Sequence, residues 1–91
     1  MIRVPSSDGV SVAVHELAGE PGQPLLLVAH ATGFHARAYL PMARHLAPPF
    51  HVLGVDFRGH GETPAPPGWE VDWRGYGDDA LAVVDAVVAR A

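Results

Sequence analysis

The sequence predicts an α/β domain built on a mostly parallel sheet that is entered through an antiparallel hairpin. Three observations carry this. The runs "IRV" and "VSVAVHEL" flank a short turn sequence; "LLLVAH" and "HVLGVD" are continuously apolar rather than alternating; and a segment with helical spacing follows each of those two runs. A continuously apolar strand is one covered on both faces, as in a parallel sheet flanked by helices.

The elements follow in order. Asp8-Gly9 in "PSSDG" supplies the hairpin turn, and the second run alternates Val10, Val12 and Val14 against Ser11, Ala13 and His15, so the hairpin is expected to keep one polar face. "AGEPGQP" is a loop by its Gly and Pro content and delivers the chain into the strand Leu25 to His30. From Arg37, residues Tyr39, Leu40, Met42, Ala43 and Leu46 fall at helical spacing. Pro41 is tolerable only near a first turn, and Pro48-Pro49 ends the helix. A right-handed crossover then places "HVLGVD" parallel to and beside the Leu25 strand, making its carboxyl end the edge of interest. "FRGHGETPAPPGWEVDWRG" is too rich in Gly and Pro to be an element, and a loop of this length in a compact domain is usually functional. The last segment, "YGDDALAVVDAVVARA", reads as a helix with Leu81, Val84, Val87 and Val88 on an apolar face and Asp78 and Asp79 in its first turn, where the helix dipole favours them.

Composition narrows the function. The 91 residues suffice for one small core, and a net charge of −4 gives no electrostatic reason to expect nucleic acid or an anionic membrane as partner. Without cysteine there is no disulfide framework, thiol nucleophile or Cys-ligated zinc. The six histidines include no H-E-x-x-H register, so no metal is expected. "GHGETP" follows a strand, but Pro64 stands in the third glycine place of a dinucleotide fingerprint and no helix opens there, so no cofactor is expected either. The N-terminus has no apolar signal region, and no stretch approaches the ~20 apolar residues of a membrane helix; a cytoplasmic chain is expected.

Two stretches resemble the α/β-hydrolases. "HATGF" matches that family's H-G-x-P-G turn after the third strand, with His30 at the His position and Thr32 at the variable one; Ala31 stands where Gly is usual, and Gly33 and Phe34 where Pro and Gly are usual. "DFRGHGET", Asp56 to Thr63, matches D-x-R-G-H-G-x-S/T after the fourth strand almost letter for letter. The resemblance implies an incomplete α/β-hydrolase core, the first four strands and two helices, with residues 1–91 forming the N-terminal part of one domain. It implies that the backbone amide of Thr32 is one donor of an oxyanion hole, the other lying after the nucleophile. His30, Gly33, Asp56, Arg58, Gly59, His60 and Gly61 are expected to support the two motifs, and Phe34 to contact a small-molecule substrate.

The nucleophile, acid and base are not expected among these residues. The serines are Ser6, Ser7 and Ser11, and no G-x-S-x-G occurs. The expected whole is therefore a hydrolase of an ester, amide or related acyl bond, completed by the C-terminal remainder of the domain as partner, with the 91 residues inactive alone. The alternatives are a ligand-binding relative lacking the serine and a protein-interaction module using the open strand edge.

Overall fold

The computed structural model describes residues 1–90. Four strands, β1 (Ile2–Pro5), β2 (Ser11–Ala18), β3 (Leu25–Ala29) and β4 (His51–Asp56), form one sheet in the order β1-β2-β4-β3. β1 and β2 are antiparallel, β2 runs antiparallel to β4, and β3 lies parallel to β4 with Leu25 opposite His51. The sheet is thus mixed, with the parallel pair at one side; β4 is buried along most of its length, but β3 is the edge strand and leaves Leu25 and Ala29 exposed, so the cover expected on both its faces is incomplete.

The hairpin closes at Asp8 and Gly9, whose φ values of +58° and +73° are left-handed, a conformation that Asp and Gly tolerate best. The expected polar face of the hairpin is not found. Ala13 and His15 are as buried as Val12 and Val14, because β2 sits between β1 and β4 and is covered on both sides. On one side Val4, Val10, Val12, Val14 and Val55 pack with Val83 of the second helix; on the other Leu17, Val28 and Val52 pack with Ala43 of the first.

The first helix, α1 (Leu40–Leu46), carries Pro41 in its first turn and is entered through a 3-10 turn at Ala36–Tyr39. Gly54 of β4 makes that entry possible: a Cβ there would press on the Ala36 methyl and Leu17. Met42, expected on the apolar stripe, is exposed.

The second helix, α2 (Trp73–Arg90), starts earlier than its apolar spacing suggests. Asp72 caps it, its carboxylate accepting the Arg74 N–H at 2.9 Å. Asp78 and Asp79 therefore lie beyond the first turn, and Asp79 is directed inward rather than placed for the dipole. The buried stripe is Tyr76, Asp79 and Val83, while Leu81, Val84 and Val88 are exposed. No described helix is long and apolar enough to cross a membrane.

Candidate functional site

Parallel β3 and β4 bring the two motifs to one rim, because both strands end there. Asp56, the last residue of β4, is buried, and its carboxylate is saturated. Oδ1 accepts the Ala36 N–H at 2.8 Å; Oδ2 accepts the Glu62 N–H at 3.0 Å and lies 2.7 Å from His15 Nε2. Burial alone would raise its pKa, but the amides of Glu62 and Ala36 and the His15 contact outweigh burial and hold it below the usual carboxylate range. Asp56 thus fixes both its own loop and the entry to α1. A Cβ on Gly61 would run into this carboxylate, and Gly61 has φ +50°.

The loop after β4 is a tight knot. Gly59, at φ +78°, gives its N–H to Thr63 O at 2.8 Å, and Thr63 N–H returns to His60 O at 3.0 Å. Thr63 Oγ1 accepts the Ala13 N–H at 2.8 Å, locking the loop to β2.

Arg58 is completely buried and ties three parts of the chain together. Its Nη2 meets Asp79 Oδ1 at 2.8 Å and Ser7 Oγ at 2.9 Å, its Nη1 meets Asp8 Oδ2 at 2.8 Å, and its own N–H is held by Asp79 Oδ2 at 2.9 Å. The hydrogen bonds to Asp79 raise its pKa further, against the opposing effect of burial. Gly75 leaves the space: a Cβ there would lie 3.0 Å from Arg58 Cδ. The hydroxyls of Ser6 and Ser7 are committed to the same cluster, donating to Asp79 and Asp78 at 2.7 Å each.

The turn after β3 is built differently. Ala31 N–H goes to the Tyr39 hydroxyl at 3.1 Å, Gly33 N–H to His60 Nε2 at 2.9 Å, and Phe34 N–H to Ala31 O at 2.9 Å. Gly33 adopts φ +90°, which favours glycine. Among the described residues, the Thr32 N–H has no hydrogen-bond partner. His30 accepts the Phe57 N–H on Nε2 at 3.1 Å and gives Nδ1–H to Ala31 O at 2.8 Å. Its pKa is lowered, chiefly by burial.

A cavity of about 380 Å³ opens beside this turn, walled by His30, Ala31, Thr32 and His60 on one side and by Phe57, Tyr76, Trp73, Gly77 and Ala80 on the other. Among the described residues, no carboxylate or Arg lines it. A larger hollow of about 680 Å³ lies at the opposite, amino end of the parallel strands, against Leu25 and His51, away from both motifs. Phe34 is exposed, tilted against Tyr39 with ring centroids 6.2 Å apart, and stands outside the wall of the Thr32 cavity. None of the three serines lines that cavity.

From sequence, Tyr39 has only a place in a helical stripe and Asp79 only a role at the helix dipole, and Tyr76 is not singled out. Tyr76 is surrounded by Phe57, His60, Trp69 and Trp73 at 5.4–5.9 Å. Only the aromatic density of "GWEVDWRGY" could have pointed to it.

Residues 20–91 match the model of the family described as serine aminopeptidase, S33. The chain is similar to a hydrolase from Pseudomonas aeruginosa PA01, at 32% identity and a TM-score of 0.81 over 93% of this chain and 31% of that one. It is also similar to the N-formylmaleamic acid deformylase of Pseudomonas putida S16, at 27% identity and a TM-score of 0.71 over 92% of this chain and 32% of that one. Over 44 residues, 48% of this chain and 16% of the relative, it is 36% identical to the (E)-2-((N-methylformamido)methylene)succinate hydrolase of Acinetobacter baylyi. The chain thus spans about a third of the length of these solved structures, and the match to the Acinetobacter protein a smaller part still.

Proposed function

This chain belongs to the α/β-hydrolases of the serine aminopeptidase S33 family, and we propose that within such an enzyme it supplies one half of the oxyanion hole for hydrolysis of a small-molecule acyl bond. One observation carries the reading: in the turn Ala31–Phe34 every amide but that of Thr32 is bonded internally, and Thr32 borders the cavity at the sheet's carboxyl rim. When a nucleophile adds to an acyl carbon, negative charge gathers on the carbonyl oxygen. An amide already stripped of competing partners, beside walls without formal charge, stabilises that charge more than it stabilises the ground state.

The nucleophile of this reading is a serine outside residues 1–91, with its acid and base, and the small-molecule substrate reaches it with no cofactor. Ser6 and Ser7 are bound into the Arg58 cluster and do not serve. Two of these relatives are named for compounds that carry a formylated nitrogen, one as a deformylase and one as a hydrolase, which makes an acyl–nitrogen bond the first substrate class to test.

The test compares residues 1–91 with the full-length protein. The 91 residues alone are expected to cleave no acyl substrate and to resist a serine-directed phosphonate, whereas the full-length protein does both. Labelling at Ser6, Ser7 or Ser11 would contradict the reading. A full-length protein that binds acyl compounds without turnover would favour a ligand-binding role instead.

A further inference from the structure

The two motifs grip each other through their histidines. His30, from the turn after β3, takes the Phe57 N–H of the loop after β4 on Nε2 at 3.1 Å and gives Nδ1–H to Ala31 O at 2.8 Å. His60, from the loop after β4, takes the Gly33 N–H of the other turn on Nε2 at 2.9 Å and gives Nδ1–H to Arg58 O at 3.1 Å. A carbonyl can only accept and an amide N–H can only donate, so both rings are neutral and carry their proton on Nδ1. The ring centroids lie 4.8 Å apart.

This arrangement acts on Thr32 through covalent geometry. Ala31 C=O and Thr32 N–H belong to one planar trans peptide unit, so they point in opposite directions. The Ala31 carbonyl is held by His30 Nδ1–H and by the Phe34 N–H, which turns the Thr32 N–H away from both. The amides on either side, Ala31 and Gly33, are pinned by Tyr39 and His60.

We propose that His30 and His60 form a reciprocal clasp that aims the Thr32 amide, and that His60 is a positioning residue for acyl transfer. The proposal rests on the oxyanion reading above. A proton taken from solvent onto either Nε2 turns an acceptor into a donor that faces another donor. The titratable and charged groups around the pair are Asp56 at the end of β4, His35 in the turn, Arg58 in the loop and Tyr76 on α2. Burial, opposed in part by the Ala31 bond and by Asp56, favours neutral His30. The His30 half of the clasp is therefore intact above the ordinary imidazole value of 6.5 and is lost as pH falls through a lower one.

In the full-length protein, long-range imidazole 15N correlations read the tautomers while the Thr32, Gly33 and Phe57 amide protons are followed as pH is lowered. Both rings are expected as Nδ1–H tautomers, with the Phe57 and Thr32 amides shifting together as His30 gains a proton. H60Q is expected to keep the Gly33 and Thr32 amides near their wild-type positions, because its Oε1 can accept the same Gly33 N–H. H60A is expected to lower kcat about 10- to 100-fold with KM nearly unchanged, and H60Q to recover most of the loss. An Nε2–H tautomer, a Thr32 amide indifferent to both histidines, or an H60A enzyme with wild-type kcat would each overturn the clasp. If the wild-type protein cleaves no acyl bond while the spectra behave as expected, the hydrolase reading fails and the clasp remains as a feature of the fold.

Discussion

On one side of the loop after β4, Arg58 is fully buried with Nε and both Nη nitrogens engaged by Asp79, Asp8 and Ser7; across the rim, Thr32 keeps a backbone amide that no described residue takes. Both regions are short, glycine-containing and built on the ends of neighbouring strands. Among the described residues no buried side-chain nitrogen or oxygen lacks a partner, whereas the Thr32 amide is unpaired on an exposed turn between two paired amides, those of Ala31 and Gly33. Saturation makes the Arg58 side a scaffold. A donor left without a protein partner beside a cavity is what the proposed oxyanion role asks of the Thr32 side, where it would meet a charge that forms on a bound substrate.

The sharpest way to separate the two sides is to break the scaffold. D79A leaves Arg58 buried with only its exposed partner Asp8 and the serines, and is expected to cost about 3–5 kcal/mol, read from the shift of the urea unfolding midpoint. A loss below ~1 kcal/mol would remove the contrast, because Arg58 would then be holding little.

G61A comes next. It combines a left-handed φ with a Cβ driven against the Asp56 carboxylate, and is expected to cost about 1–3 kcal/mol in the same assay. Wild-type stability would mean that Asp56 moves freely and does not anchor the turn at Ala36.

Acid should act on the saturated side in a defined direction. Asp56 has its pKa depressed in the folded protein, so its contribution is fully present above the ordinary carboxylate value of 3.8 and is lost as pH falls through the lower folded value. Chemical unfolding from pH 5 downward should show stability dropping in that window, and D56N should flatten the drop. An unchanged slope in D56N would assign the acid sensitivity elsewhere.

The smallest effect is expected at Thr32 itself. T32V removes an exposed hydroxyl and keeps the N–H, so stability should stay within about 0.5 kcal/mol. Turnover by the full-length protein should stay close to that of the wild type. A large loss would transfer the role from the backbone to the side chain.

The sheet was legible because its cues are local. Asp8-Gly9 announces the left-handed turn, the unbroken apolar runs of β3 and β4 announce a parallel pair although only β4 is buried along most of its length, and Pro48-Pro49 closes α1. The two motifs marked the rim for the same reason. What could not be read depends on register and depth. His15 alternates with valines and looks solvent-facing until Ala13 is paired with Asp56, which brings the imidazole to the Asp56 carboxylate. Asp79 looks like a dipole-stabilising residue until Asp72 starts the helix earlier and turns Asp79 onto Arg58, 21 residues back in the chain. The Tyr39 hydroxyl on Ala31 and the crossed histidines carry no periodic signal at all, since each joins two loops whose approach is decided by the strands beneath them.

The central claim is that the Thr32 amide is an aimed, vacant donor. Its most direct test is a crystal structure of the full-length protein trapped by a serine-directed phosphonate. A phosphonyl oxygen is expected about 2.7–3.1 Å from the Thr32 nitrogen, with the His30 and His60 bonds intact around it. An adduct oxygen held by other donors while the Thr32 N–H bonds within its own turn would contradict it.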